Sequence, residues 1–164
     1  MNNFKYCIWA CLDPNHPWEK YNNASRQGLH ITIKSNIPDL KTATAIFNRI
    51  AEDNRNFQSK IFLDPADPIA DSTDNFNSMF FKAYLYSNCN PYPQWWPLDA
   101  HISFYYSYGK EKLKNISQLF YNQKNIQKYN SATITNFKLV YCRAHFNRNW
   151  IVVKEQYLDK KGHL

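Results

Sequence analysis

The chain has 164 residues, 44% of them hydrophobic and 17% aromatic, and its formal net charge at pH 7 is +7. A chain of this length and apolar content is expected to form one domain with a hydrophobic core. No run approaches the roughly 20 apolar residues of a membrane span, and residues 1–5 lead into a strand pattern rather than a signal peptide, so a cytoplasmic protein without membrane contact is expected. The positive charge favours a polyanionic partner such as a nucleotide or RNA, although an ordinary soluble basic protein would carry the same charge.

The four cysteines are expected to be reduced thiols, because a cytoplasmic location disfavours disulfides. Cys7 and Cys11 are four residues apart in a predicted strand, so both point to the same face and can pack as small apolar groups. A zinc site built from Cys7, Cys11 and His16 is the alternative. We expect no metal and no cofactor.

The first half of the chain predicts two strands and a helix. Residues 4–12 are rich in aromatic and apolar side chains and predict a strand, and after a polar connection Gly28 opens a second strand that ends near residue 38. Asp39 is the expected N-cap of a helix that runs to about residue 54. The buried stripe of this helix, by its spacing, is Leu40, Ala43, Ile46, Phe47 and Ile50.

The second half continues with strands, a helix and a hairpin. The predicted elements are a strand over residues 57–63, an acidic proline-containing loop over 64–77, a strand over 79–86, an irregular loop over 88–97, a strand over 98–108, a helix over 110–124, and two strands of a hairpin over 132–142 and 149–157.

One short motif occurs in each half of the chain, as His-Ile-Thr at residues 30–32 and His-Ile-Ser at residues 101–103. Both lie in predicted strands that are followed by a predicted helix. Because side chains alternate along a strand, the histidine and the hydroxyl residue of each motif share one face and the isoleucine points to the other. The pair of motifs therefore indicates a symmetric polar site above a shared apolar core.

Paired His-x-Ser/Thr motifs, one in each half of a small α/β chain, resemble the two-histidine phosphoesterase superfamily. This superfamily includes LigT-like RNA 2′,3′-cyclic phosphodiesterases, viral 2′,5′-oligoadenylate phosphodiesterases and phage enzymes that cut cyclic-nucleotide immune signals. The resemblance implies a metal-independent phosphodiesterase in which His30 and His101 are general acid and base, in an order that the sequence leaves open. Thr32 and Ser103 would donate hydrogen bonds to the phosphate oxygens.

The order of elements and the resemblance together predict an α+β fold of two pseudo-symmetric lobes. Antiparallel sheets would surround a central cleft, with the helices on the outside. The first motif lobe would span about residues 13–63, the second about 79–131 and a C-terminal hairpin about 132–158, within one bilobal domain of residues 1–164.

Aromatic side chains that could stack on a base, and one cation that could contact a phosphate, complete the predicted site. These residues are Tyr6, Trp9, Trp18, Trp95, Trp96, Tyr105 and Arg143. The tryptophans in predicted loops are favoured because loops carry function, whereas Trp150 is expected in the core. Lys34 and Lys138 could contact phosphates or be ordinary surface charge.

The substrate implied by the resemblance is a nucleotide or short oligonucleotide. Lys, Asn, Ile, Tyr and Phe, which have AT-rich codons, are abundant and indicate an AT-rich genome, which fits a virus or phage, as it would many bacteria; the small chain favours the viral or phage gene. The protein is then expected to degrade a cyclic-nucleotide or 2′,5′-oligoadenylate immune signal in the host-cell cytoplasm. Two alternatives stay open: an RNA 2′,3′-cyclic phosphate phosphodiesterase, and a basic module that sequesters a nucleotide without cleaving it. The oligomeric state is not predicted.

Overall fold

The computed structural model describes residues 6–22, 25, 27–54, 60–64, 69–73, 76–85, 94–108, 130–142 and 150–159. The elements in these ranges are β1 (Tyr6–Leu12), a short 3-10 helix (Pro17–Tyr21), β2 (His30–Ile37), α1 (Leu40–Asn54), β3 (Lys60–Leu63), β4 (Ile69–Thr73), β5 (Phe76–Leu85), β6 (His101–Tyr108), β7 (Ser131–Tyr141) and β8 (Ile151–Tyr157). The helix predicted over residues 110–124 lies outside the described residues.

Six of the strands close into an antiparallel β-barrel. Their order is β1-β2-β6-β5-β3-β7, and β7 pairs back onto β1 to complete the ring. β4 pairs with β5 outside this ring, and β8 pairs with β7. Closure gives each of the six strands a paired neighbour on both sides, so the motif strands lie in a continuous wall.

The predicted α+β fold of two lobes with outer helices is wrong. The two motif strands, β2 and β6, are neighbours in one barrel wall instead of parts of separate lobes. The predicted loop over residues 64–77 is also wrong, because it contains β4 and the start of β5. Acidic residues and prolines disfavour a central strand, but β4 itself has no proline and one acidic residue, Asp71, and in the described residues it pairs with β5 outside the ring, where an acidic residue is tolerated.

The helix α1 confirms the predicted helix and its cap. The Asp39 carboxylate accepts hydrogen bonds of 2.8 Å from the backbone N–H and the hydroxyl of Thr42, as an N-cap does. The predicted stripe is right at Ala43, Phe47 and Ile50, which are buried in the same core as the inward side chains of the strands. Leu40 was predicted to be buried and is instead 45% exposed.

The barrel wall has an apolar cluster on its outer face as well as a core inside. The core takes alternate residues of each strand, so the remaining residues of β1 and β7 point outward. Their outer cluster contains Trp9, Cys11, Val140 and Cys142, with Trp150 packed against it. Among the described residues, no helix combines the length and apolarity needed to cross a bilayer.

Candidate active site

The two motifs meet where β2 pairs with β6. The strands run antiparallel with Ile31 opposite Ile102, and both isoleucines are fully buried in the barrel core. The residues on either side of this pair therefore lie together on the outer face, each histidine across from the hydroxyl residue of the other motif. Continuing the antiparallel register by one residue on each side of the isoleucine pair gives the cross-strand pairs His30 with Ser103 and Thr32 with His101.

The four polar side chains occupy the corners of a rectangle with approximate two-fold symmetry about the isoleucine pair. His30 and His101 are diagonal neighbours, a relation that places residues of antiparallel strands about 7–8 Å apart. Two imidazoles at this spacing can flank one phosphodiester group, so that one ring accepts a hydrogen bond from an attacking hydroxyl and the other donates one to the leaving oxygen, each over about 2.7–3.0 Å. The motifs indicated a symmetric site only as a pattern in the sequence. The antiparallel pairing of β2 with β6 gives that pattern a two-fold arrangement in space.

The same kind of hydrogen bond holds both imidazoles. Nδ1 of His30 lies 3.0 Å from the carbonyl oxygen of Gly28, and Nδ1 of His101 lies 2.7 Å from the carbonyl oxygen of Asp99. A carbonyl oxygen only accepts, so Nδ1 of each ring carries a proton and donates it. Nε2 then holds a lone pair in the neutral ring and a second proton in the charged ring, and it is the atom left for proton transfer.

The backbone before the first motif is held in an unusual conformation. Gly28 has a φ of +91°, a region that residues with a side chain rarely adopt. In the 3-10 helix, the Glu19 carboxylate accepts hydrogen bonds from the Leu29 backbone N–H at 3.0 Å and from the Asn22 side-chain amide at 2.9 Å. These contacts fix the chain just before β2 and thereby position the Gly28 carbonyl for His30.

The two histidines differ in burial, although their hydrogen bonds match. His30 is 9% exposed, and the indole of Trp9 stacks on its ring with centroids 3.8 Å apart. Burial, with smaller contributions from the positive charges of Lys138 and His101, lowers the pKa of His30 to about 4, although the hydrogen bond to the Gly28 carbonyl opposes this shift. His30 is therefore neutral at pH 7, whereas His101 is only half-buried.

The surroundings of His101 are more open. Lys82 on β5 lies directly across from it, and the ring of Phe80 is 4.7 Å from the imidazole. A cavity of about 720 Å³ opens beside His101, with the rings of Phe80, Tyr84 and Trp96 among its walls. The site therefore combines a buried histidine, His30, with a histidine at the edge of a cavity, His101.

Three of the predicted substrate-binding aromatics lie away from the histidine pair. Trp18 is fully buried with its ring 5.0 Å from Phe81, so its indole has no face open to a base. The predicted loop around Trp18 is instead the 3-10 helix, which packs this side chain into the core. Trp95 is half-buried and contacts Phe137 edge-on at 5.5 Å. Tyr6, at the opposite end of β1 from the motifs, packs against Tyr141.

Two predicted aromatics lie beside the histidines. Trp9 contacts the imidazole of His30, but only 3% of it is exposed, so it shields this ring rather than offering a surface to substrate. Trp96 lines the cavity at His101. Trp150, which was expected in the core, is half-buried on the outer face and contacts Trp9 edge-on at 5.1 Å.

The remaining predicted contacts divide between described and undescribed positions. The side chain of Tyr105 and the whole of Arg143 lie outside the described residues. Lys34 is exposed on β2. Lys138 donates a hydrogen bond of 3.2 Å to the Gln27 carbonyl and lies 3.8 Å from the Glu155 carboxylate, so its charge is held close to the site by fixed partners.

Phe80, Lys82 and Tyr84 also belong to the site and were not predicted from the sequence. They lie on β5, which has no motif. The signal that could have indicated them is the alternation along this strand, where Phe81, Ala83 and Leu85 are buried while Lys82 and Tyr84 between them are exposed.

The alternative zinc site does not fit the positions of its proposed ligands. Both ring nitrogens of His16 are engaged, because Nδ1 accepts from the Trp18 backbone N–H at 3.2 Å and Nε2 lies 3.0 Å from the Ser131 carbonyl oxygen. Cys7 and Cys11 lie on the outer face of β1 in a cluster with Cys142. Within the described ranges, no three His, Cys, Asp or Glu side chains are grouped as metal ligands would be.

No protein-family model and no curated protein matches this chain. The resemblance to two-histidine phosphoesterases therefore depends on the two motifs and on the geometry that the barrel gives them.

Proposed function

We infer that the protein is a metal-independent phosphodiesterase that cleaves a nucleotide or short oligonucleotide bound between His30 and His101. One observation carries this proposal: each imidazole donates from Nδ1 to the carbonyl two residues earlier, and the two rings lie on the same face of paired strands. Burial alone accounts for a single histidine held in this way. A matched pair of rings with Nε2 left for reaction is what acid and base catalysis on one phosphate requires.

The difference in burial assigns the roles. His30 is neutral at pH 7 because burial lowers its pKa to about 4, so its Nε2 can accept a proton and it is the general base. His101 is half-buried at the edge of the cavity, where a bound phosphodiester anion stabilises its protonated form. It is therefore the general acid, and it donates its Nε2 proton to the leaving oxygen.

The hydroxyl residues stabilise the phosphate while the bonds change. Thr32 faces His101 and Ser103 faces His30, so each can donate a hydrogen bond to a non-bridging oxygen as negative charge develops. When a ribose hydroxyl is the nucleophile, its proton passes to His30, its oxygen bonds to phosphorus, and the leaving oxygen takes the proton of His101. The product is a cyclic phosphate. When the substrate is already cyclic, water is the nucleophile and a linear phosphate results.

Chromatography of a nucleotide panel after incubation with the protein in EDTA tests this proposal. The panel contains cyclic di- and trinucleotides with 3′,5′ and 2′,5′ bonds, 2′,5′-oligoadenylate and RNA that ends in a 2′,3′-cyclic phosphate. We expect cleavage of at least one linkage that survives chelation and is lost in both His30→Asn and His101→Asn. A His163→Asn variant, changed at a histidine outside the motifs, is the matched control and should cleave normally. Wild-type rates in either motif variant would contradict the proposal.

The low pKa of His30 also favours a second candidate function. A base with a pKa of about 4 accepts a proton from a hydroxyl less readily than one whose pKa is near 7. The same face could then bind a nucleotide anion and retain it intact, with the +7 net charge contributing to the attraction. This function predicts that every nucleotide in the panel is recovered uncleaved and that at least one stays bound through gel filtration. Retention that weakens steeply with salt would indicate a polyanionic ligand.

A further inference from the structure

The cavity beside His101 has three aromatic rings among its walls, those of Phe80, Tyr84 and Trp96. Phe80, Lys82 and Tyr84 alternate along β5 with the buried residues that fill the core, so they point out of the barrel. Tyr84 is 40% exposed, and Trp96 is half-buried and also lines the cavity. Aromatic rings that line an open space provide surfaces on which a nucleic-acid base can stack.

We propose that this cavity binds the nucleoside on the leaving-group side of the scissile phosphodiester, with its base stacked on Tyr84 and Trp96. This assignment rests on the proposed function, because His101 lies at the cavity edge and acts there as the acid that protonates the leaving oxygen. The group attached to that oxygen must lie next to His101. The cavity volume of about 720 Å³ is within the range of small-molecule sites.

The charges around the cavity fit a nucleoside better than a second phosphate. Lys82 lies across from His101 on the same face, where its ammonium group can contact the scissile phosphate. Asp99 and Gln94, both exposed, line the cavity and offer a carboxylate and an amide. The carboxylate repels a further phosphate, whereas both groups can form hydrogen bonds with the edge of a base. The site is therefore expected to select substrates that have a base on the leaving side over simple alkyl esters of a nucleotide.

Fluorescence titration can test base binding without turnover. The probe is a 3′,5′-linked ribodinucleotide with the fluorescent base 2-aminopurine in its 3′ nucleoside, the leaving group when the 2′ hydroxyl attacks. It is titrated with His30→Asn protein, which lacks the base for cleavage. Stacking on the cavity rings should quench the probe, and an isomer with 2-aminopurine in the 5′ nucleoside should be quenched less.

Variants at Tyr84 connect the quenching to the cavity. Adding Tyr84→Ala to His30→Asn should weaken binding roughly tenfold, the usual effect of losing one stacked base, whereas Tyr84→Phe should retain affinity because it keeps the ring. Tyr157→Ala is the matched control, because Tyr157 is a 66% exposed tyrosine on β8, outside the cavity. Equal affinities for Tyr84→Ala and its parent, or equal quenching of the two isomers, would overturn the assignment even if the wild-type protein cleaves. The expected binding pattern together with an inactive wild-type protein would refute the phosphodiesterase and the leaving-group assignment, and would leave the cavity as a base-binding site only.

Discussion

His30 is buried as a neutral imidazole, so acid should destabilise the protein through this residue. Its pKa is about 4 in the folded protein, whereas an unfolded histidine titrates near 6.5. Between these values the unfolded chain binds a proton that the folded protein does not, so the free energy of unfolding falls as the pH falls through this window and is constant above it. The two pKa values give a loss of about 2 kcal/mol between pH 7.5 and pH 5.

The variant His30→Asn removes this titration and keeps an N–H donor for the Gly28 carbonyl. Urea denaturation of both proteins at pH 7.5 and pH 5 measures the effect. We expect the variant to lose about 2 kcal/mol less unfolding free energy than the wild type over this interval. The other histidines and the carboxylates are common to both proteins, so the comparison isolates His30. Equal losses in the two proteins would show that His30 titrates like an exposed histidine, and the assignment of His30 as the neutral base would then fail.

Three further predictions concern Gly28, Cys7 and Thr32. Gly28→Ala should lower the free energy of unfolding by roughly 1–2 kcal/mol because φ at this position is +91°, and unchanged urea stability would contradict that strain. Cys7 should react with iodoacetamide well before Cys11, as resolved by mass spectrometry, because a hydrogen bond from Cys142 lowers the pKa of Cys7 while burial raises that of Cys11 to about 12; equal rates would contradict this. Thr32→Val should reduce kcat about 100-fold while Thr32→Ser should not, and kinetics in which both variants behave alike would exclude the hydroxyl contact.

Local sequence patterns predicted the elements that depend on near neighbours. The helix α1 followed from its 3.6-residue apolar spacing and from the Asp39 cap, and the structure bears out both. The motif strands followed from alternation. Leu40 was assigned to the buried stripe on spacing alone, but it is the first residue of α1, where the helix has only begun to pack against the barrel.

Closure of the barrel could not be predicted from the same patterns. Alternating apolar residues fit an open sheet and a closed barrel equally well, and only the long-range pairing of β1 with β7 and of β2 with β6 distinguishes the two. The two motifs suggested two lobes because each lies in a predicted strand that is followed by a predicted helix. Pairing the motif strands directly with each other gives the same local symmetry within a single barrel.

The sequence predicted which residues form the histidine pair, but not the difference between the two rings. That difference arises because the register of β1 on β2 places Trp9 across from Thr32, where its indole covers His30. No feature of the first motif indicates that an indole from β1 covers His30. The cavity aromatics on β5 were missed for the same reason, since Lys82 lies across from His101 only through strand pairing.

The most direct test of a phosphate shared by His30 and His101 is nitrogen NMR of protein labelled with ¹⁵N-histidine. Long-range proton–nitrogen spectra report the tautomer of each ring, and titration with a 2′-deoxy dinucleotide, which lacks the hydroxyl nucleophile, reports which nitrogens meet the phosphate. We expect both rings to carry a proton on Nδ1, and both Nε2 resonances to shift with one dissociation constant while those of His16 stay unchanged. A response from one ring alone, or a His30 ring with its proton on Nε2, would contradict a shared phosphate.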